Sequence, residues 1–256
     1  MDVCVSQEPW LGRELAAAGG TLSRSYLMRI GIIGAGHIGG TLTRRLSALG
    51  HAVSVANSRG PDSLTELAKE TGAKAVTVRE AATNKDVVIV TIPEKSIPGL
   101  PRGLFAANDD VVVVDTGNYY PQRDGRIAAI EDGLPESKWV EQQLGRPVIK
   151  AFNTIHAKDL MERGRAADQG DRIALPVAGD DVASKRVVLQ LIEELGFDGI
   201  DAGSLAESWR QQPGTPVYGT NLERETAQRA LANAARSRPQ AYPATRSSQT
   251  HPQAGQ

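Results

Sequence analysis

Aromatic residues make up only 4 % of this chain, cysteine occurs once, at position 4, and the formal net charge is −1. Each scarcity excludes something. A single thiol cannot close an intrachain disulfide, and its place near the chain end argues against a buried nucleophile; together these favour a reducing, cytoplasmic setting. A near-neutral balance leaves no electrostatic footprint for nucleic acid or an anionic membrane. No apolar run is long enough to span a bilayer. Metal-ligand spacing is missing, as are a G-x-S-x-G elbow and a Cys/His pair. No lysine stands in a strong acid–base constellation.

What is present suits a soluble globular protein of 256 residues, enough for one large or two modest domains with a real core. The two ends differ from the rest. Residues 1–27 lack the basic start and apolar core of a signal peptide and read as a disordered extension. Residues 237–256, rich in Pro, Ser, Gln and Thr, read as a disordered tail. Between them we expect a nucleotide-binding unit with a C-terminal substrate segment over 28–222 and a terminal helix over 223–236.

Strands and helices alternate from Met28. Strands are predicted at Met28–Ile33, His51–Ala56, Ala75–Val78, Asp86–Ile92, Val111–Asp115, Pro147–Phe152, Arg172–Ala178 and Phe197–Ala202. Helices are predicted from His37 to Leu49, from Pro61 to Glu70, and from Asp181 to Leu195. Near-continuous β-branched runs such as Val-Val-Ile-Val mean strands buried on both faces. The alternation therefore reads as an α/β fold, a doubly wound parallel sheet of the Rossmann type with a short C-terminal extension.

The densest signal is Ile33-Gly34-Ala35-Gly36-His37-Ile38-Gly39. An apolar strand leads into G-x-G-x-x-G, and an amphipathic helix follows. That context turns a weak pattern into a dinucleotide site. Gly34 permits a tight turn, Gly36 lets a pyrophosphate reach the backbone, and Gly39 lets helix and strand approach. The start of the helix, with Ala35, His37 and Ile38, offers N–H groups to the phosphates.

Strand two decides the cofactor. NAD sites usually carry a carboxylate there, which would repel a 2′-phosphate. Here Asn57, 18 residues past Gly39, is neutral, and Ser58 and Arg59 follow. A hydroxyl donor and a guanidinium suit the extra phosphate of NADP. The rival is a polar turn with a solvent-facing arginine.

Four segments fall at the carboxyl ends of the strands. Thr91-Ile92-Pro93 lies near the cofactor, or Pro93 merely ends its strand. Asn118 bonds a ribose or the nicotinamide amide, or closes an Asx-turn. Asn153 and Thr154 offer donors and acceptors, and His156 is either a proton donor or a surface residue. Trp209 and Tyr218 form either a stacking platform for a flat ring or a lid or dimer contact.

With these residues in view, the chain resembles the coenzyme F420-dependent NADP oxidoreductase family, whose N-terminal fold is shared with pyrroline-5-carboxylate reductases. The matching stretches are Met28–Gly40, Asn57-Ser58-Arg59, Val113–Tyr120 and Val148–Thr154; Gly203–Gly219 looks like a variant of a bacterial subgroup. The resemblance implies Gly34, Gly36, Ser58 and Arg59 in NADP binding. It also implies direct hydride transfer, which needs positioning more than a strong acid or base. The expected partner is a small-molecule acceptor, F420 or a similar flat molecule, and the small substrate region hints at a homodimer. The alternatives are an imine or carbonyl reductase with Tyr218 or His156 as proton donor, and a protein that binds NADPH without turnover.

Overall fold

A computed structural model describes residues 27–236. Cys4 and the rest of the expected extension and tail lie outside the described residues. The order of elements is β1 (Arg29–Ile33), α1 (His37–Ala48), β2 (Ala52–Ala56), α2 (Thr65–Thr71), β3 (Lys74–Ala75), α3 (Val78–Ala82), β4 (Val87–Val90) and β5 (Val112–Asp115). Short helices α4 (Pro121–Asp124) and α5 (Ala128–Glu131) and the longer α6 (Glu136–Leu144) precede β6 (Ile149–Lys150). Then come α7 (Ala157–Glu162), β7 (Ala174–Val177), α8 (Val182–Glu194), β8 (Asp198–Asp201) and α9 (Arg224–Ala232).

The first six strands form one parallel sheet in the order β3-β2-β1-β4-β5-β6, and β7 and β8 form a second, parallel pair. The sheet reverses its winding between β1 and β4, where a doubly wound fold opens its ligand crevice. The period of two along each strand divides its side chains between two layers. Ile30, Ile32, Val87, Ile89, Val112 and Val114 face one cluster with Leu42 and Leu46 of α1 and Leu191 of α8. Ile33, Val88, Val90 and Val113 face the other, with Ala81 of α3 and Trp139 and Val140 of α6. Both faces are covered, so the unbroken apolar runs of β4 and β5 are buried throughout.

Several local assignments differ from the sequence expectation: the strand expected over Pro147–Phe152 is only Ile149–Lys150, and Pro61–Leu64 is a 3-10 turn before α2. Strand three ends at Ala75, because Thr77 caps a helix instead of continuing it. The Thr77 hydroxyl accepts the Glu80 N–H, and the Glu80 carboxylate accepts the Thr77 N–H, a complete capping box. The terminal helix is the shorter Arg224–Ala232. A single antiparallel bridge, Lys150 to Ala178, splices the second sheet onto the edge of the first. No helix among the described residues is long and apolar enough to cross a membrane.

Candidate functional site

The glycine turn sits where β1 hands over to α1. Gly34 has φ +112°, and a Cβ there would fall 2.3 Å from the Thr91 carbonyl oxygen and 2.9 Å from the Ile92 side chain. A Cβ on Gly39 would fall 1.9 Å from the Gly34 carbonyl oxygen. Both glycines are thus demanded by close backbone approach. Gly36 differs: a Cβ there meets nothing within 4 Å. Its glycine is not needed by the protein's own packing, which leaves its open face for a ligand. The Gly34 N–H donates to Ala56 O at 2.8 Å and the Thr91 N–H to Ile33 O at 2.8 Å, so the turn is tied to the ends of β2 and β4.

An open cleft of about 630 Å³ runs from this turn. Ala35, Gly36 and His37 line one side, Arg59 and Ser63 another, and Lys158 and Met161 of α7 a third. His37 is exposed, whereas Ile38 turns its side chain into the core and can reach a ligand only through its backbone.

The loop after β2 is built around Asn57. Its Oδ1 accepts the Arg59 main-chain N–H at 2.9 Å and its Nδ2 donates to the Ser63 hydroxyl at 2.9 Å. The Ser63 hydroxyl donates in turn to Gly60 O at 2.7 Å. The side chain of Asn57 is committed to the loop, so Asn57 shapes the site, and exposed Ser58 and Arg59 are what it presents. Neighbouring Arg44 is paired with Glu70 at 2.6 Å. No ion pair holds the Arg59 guanidinium among the described residues, so it is available to an anion in the cleft.

β4 already ends at Val90, short of the expected Ile92, and Pro93 is the N-cap of a 3-10 turn over Glu94–Gly99. Ile92 packs on the core beside the glycine turn. The Asx-turn after β5 is made by Asp115, whose Oδ1 accepts the Gly117 N–H at 2.8 Å, and not by Asn118. Asn118 instead pairs with Asn153 past β6: Asn118 Nδ2 donates to Asn153 O, and Asn153 Nδ2 donates to Asn118 Oδ1, both at 3.0 Å. His156 is exposed at the N-cap of α7, and a Cβ on Gly219 would lie 3.6 Å from its Nε2. The Tyr218 hydroxyl meets that of Tyr120. Arg210 and Arg236 lie over the Trp209 ring, 4.4 and 5.0 Å from its centroid.

The expectation that no lysine stands in an acid–base constellation is overturned. Lys150 is wholly buried, its Nζ 3.1 Å from Asp115 Oδ2 and bonded to Gly117 O. Ser137 donates to the same carboxylate at 2.8 Å. Glu94 is also 0 % exposed, and neither of its carboxyl oxygens has a hydrogen-bond partner. Burial, then the charge of Asp115, pushes Glu94 well above the ordinary carboxyl range, which favours its protonated form. Burial would lower Lys150, but Asp115, Glu94 and Glu136 outweigh it and raise its pKa. Lys150, Asp115 and Glu94 thus lie together beneath the loop that carries Asn118. Sequence reading missed them because Glu94, Asp115 and Lys150 lie on three different strand ends, which only the sheet order brings together.

Comparison with known proteins agrees with this geometry. The protein SMa0349 of Sinorhizobium meliloti has 32 % identity and a TM-score of 0.64, with 77 % of this chain and 96 % of that one covered. A protein of Arthrobacter sp. FB24, assigned as an F420-dependent NADP reductase, has 25 % identity and a TM-score of 0.56, covering 70 % and 86 %. Rat metalloreductase STEAP3 is 26 % identical over 204 residues, 78 % of this chain and 39 % of that protein. The chain spans less than half the length of the curated relatives it matches. Residues 29–119 match the family described as NADP oxidoreductase, coenzyme F420-dependent. That match covers β1 to β5, about a third of the chain, and over it the chain is similar to that family.

Proposed function

We propose that the protein is an NADP(H)-dependent oxidoreductase that exchanges hydride with a flat acceptor such as coenzyme F420. The observation that carries this is the pairing of an open-faced Gly36 with an unpaired Arg59 guanidinium in one cleft. Gly34, Gly36 and the first amides of α1 would hold the pyrophosphate. Ser58 and Arg59 would hold the 2′-phosphate. Asn118 and Asn153, at the carboxyl ends of β5 and β6, would fix the nicotinamide half. Bound NADPH would supply a hydride there, and the acceptor would take it up with one further proton, leaving oxidised NADP.

One observation favours a second reading, reduction of a small imine or carbonyl compound. The paired hydroxyls of Tyr120 and Tyr218, with His156 beside Gly219, give that region the groups to deliver a proton to a substrate heteroatom. NADPH oxidation with F420, and separately with a panel of cyclic imines and ketones, distinguishes the two. Turnover with F420 alone supports the first reading, and turnover with the panel alone overturns it. Binding of NADPH without turnover on any acceptor overturns both. Sedimentation of the full chain tests the further proposal that it works as a homodimer.

A further inference from the structure

The C-terminal segment reaches the Asn118–Asn153 pair through one buried side chain. Gln211 is fully buried in the 3-10 turn Leu205–Gln211. Its Nε2 donates to Asn153 Oδ1 at 2.9 Å and to Pro176 O, on β7, at 3.2 Å. Asn153 Nδ2 donates both to Asn118 Oδ1 and to Gln211 O, the latter at 2.7 Å. Asn118 Nδ2 donates to Asn153 O. Each of the three amides therefore gives one N–H to a main-chain carbonyl. A flipped amide would set two oxygens against each other, so the direction of the whole chain of bonds is determined. Counting hydrogens along it leaves two unused valences. One is the second N–H of Asn118, on a half-exposed side chain at the carboxyl end of β5. The other is Gln211 Oε1, buried without a partner.

An orphaned buried oxygen is costly, and an apolar residue would avoid it. With that oxygen unpartnered, the two donors at the other end of the amide are the part of the side chain that the surroundings use. We propose that Gln211 is a positioning residue for the cofactor. It locks the Asn153 and Asn118 carboxamides so that Asn118 offers an N–H donor, and not an acceptor, to an oxygen on the nicotinamide riboside half. The C-terminal segment thus acts on the cofactor indirectly, through two asparagines that it orients. This rests on the NADP-binding reading above and extends it to the third part of the chain.

The test separates the two halves of the cofactor. Binding of NADPH and of 2′,5′-ADP, which lacks the nicotinamide half, is measured by calorimetry for the wild type, Gln211→Met and Gln211→Glu. Gln211→Met fills the space without donors and is expected to weaken NADPH about tenfold while leaving 2′,5′-ADP within about twofold. In Gln211→Glu, a carboxyl facing two acceptor oxygens holds its proton and donates one bond. That variant is expected to bind NADPH better than Gln211→Met at acidic pH and to lose the advantage as pH rises, a profile absent from the wild type. Equal affinity of wild type and both variants for NADPH overturns the proposal. So does a parallel loss of both ligands, which marks a merely structural residue. A wild type that binds neither ligand overturns the NADP reading itself, a separate result.

Discussion

The Asn57 carbonyl oxygen accepts the Arg59 main-chain N–H at 2.9 Å, across a turn one residue wide. That bond curls the loop after β2 so that Arg59 projects into the cleft lined by Gly36. A neutral side chain makes the bond, and in the proposed NADP site a carboxylate there would repel the phosphate that Arg59 would hold.

Arg59→Ala is expected to weaken NADPH by roughly 1.5–3 kcal/mol and leave NADH nearly unchanged, since hydrogen bonds to a charged group lie in that range. Asn57→Asp keeps an acceptor for the Arg59 N–H but adds a negative charge. It should also weaken NADPH more than NADH, through repulsion. Fluorescence titration with both cofactors checks the pair. Equal losses for NADPH and NADH in either variant reject the phosphate assignment.

Gly36→Ala and Gly39→Ala should fail in different ways. The first places its methyl in open space, so the fold is expected to survive while NADPH binding is lost. The second drives its methyl to 1.9 Å from a carbonyl oxygen and should destabilise the fold, in the range of overpacking, about 1–3 kcal/mol or more. Thermal unfolding and cofactor titration on the same samples test this. A Gly36→Ala protein that binds NADPH normally removes the pyrophosphate from that turn.

Glu94 makes stability depend on pH. Its folded pKa is raised above its unfolded one, so the folded chain keeps a proton that the unfolded chain releases. Stability from this group is full below the unfolded carboxyl pKa and declines as pH rises towards the folded value, by up to about 1.4 kcal/mol per pH unit. Gln at this position has no proton to lose. Denaturant midpoints compared over a series of pH values should fall less steeply with rising pH for Glu94→Gln than for the wild type. Parallel curves would mean Glu94 is ionised in the fold.

Lys150→Met is expected to cost about 3–5 kcal/mol, because it leaves the Asp115 carboxylate buried without its cation. The double change Lys150→Met with Asp115→Asn should recover part of that loss. Urea unfolding of the three proteins provides the comparison. A double variant as unstable as the single one would show that the charge imbalance is not the cause.

The sheet was legible because its signals are local. Each run such as Val87–Val90 carries its own burial in its own composition, and the glycine spacing at Gly34, Gly36 and Gly39 needs no distant partner. The Thr77–Glu80 capping box was written in the sequence as well, but the apolar Val76 and Val78 beside it read as strand. What could not be read was the underside of the site. Glu94, Asp115 and Lys150 are spread over 57 positions, and Asn153 and Gln211 are 58 residues apart. Such contacts come from strand order, and a single sequence holds no periodicity that points to them.

The splice between the two sheets joins this underside to the C-terminal third of the chain. Lys150 exchanges both main-chain hydrogen bonds with Ala178, at 2.8 and 3.0 Å, while its amine neutralises Asp115. One residue is therefore both hinge pin and counter-charge. Any rotation of the β7–β8 unit away from the six-stranded sheet would have to break both of those main-chain bonds, made by the residue whose amine is the buried counter-charge.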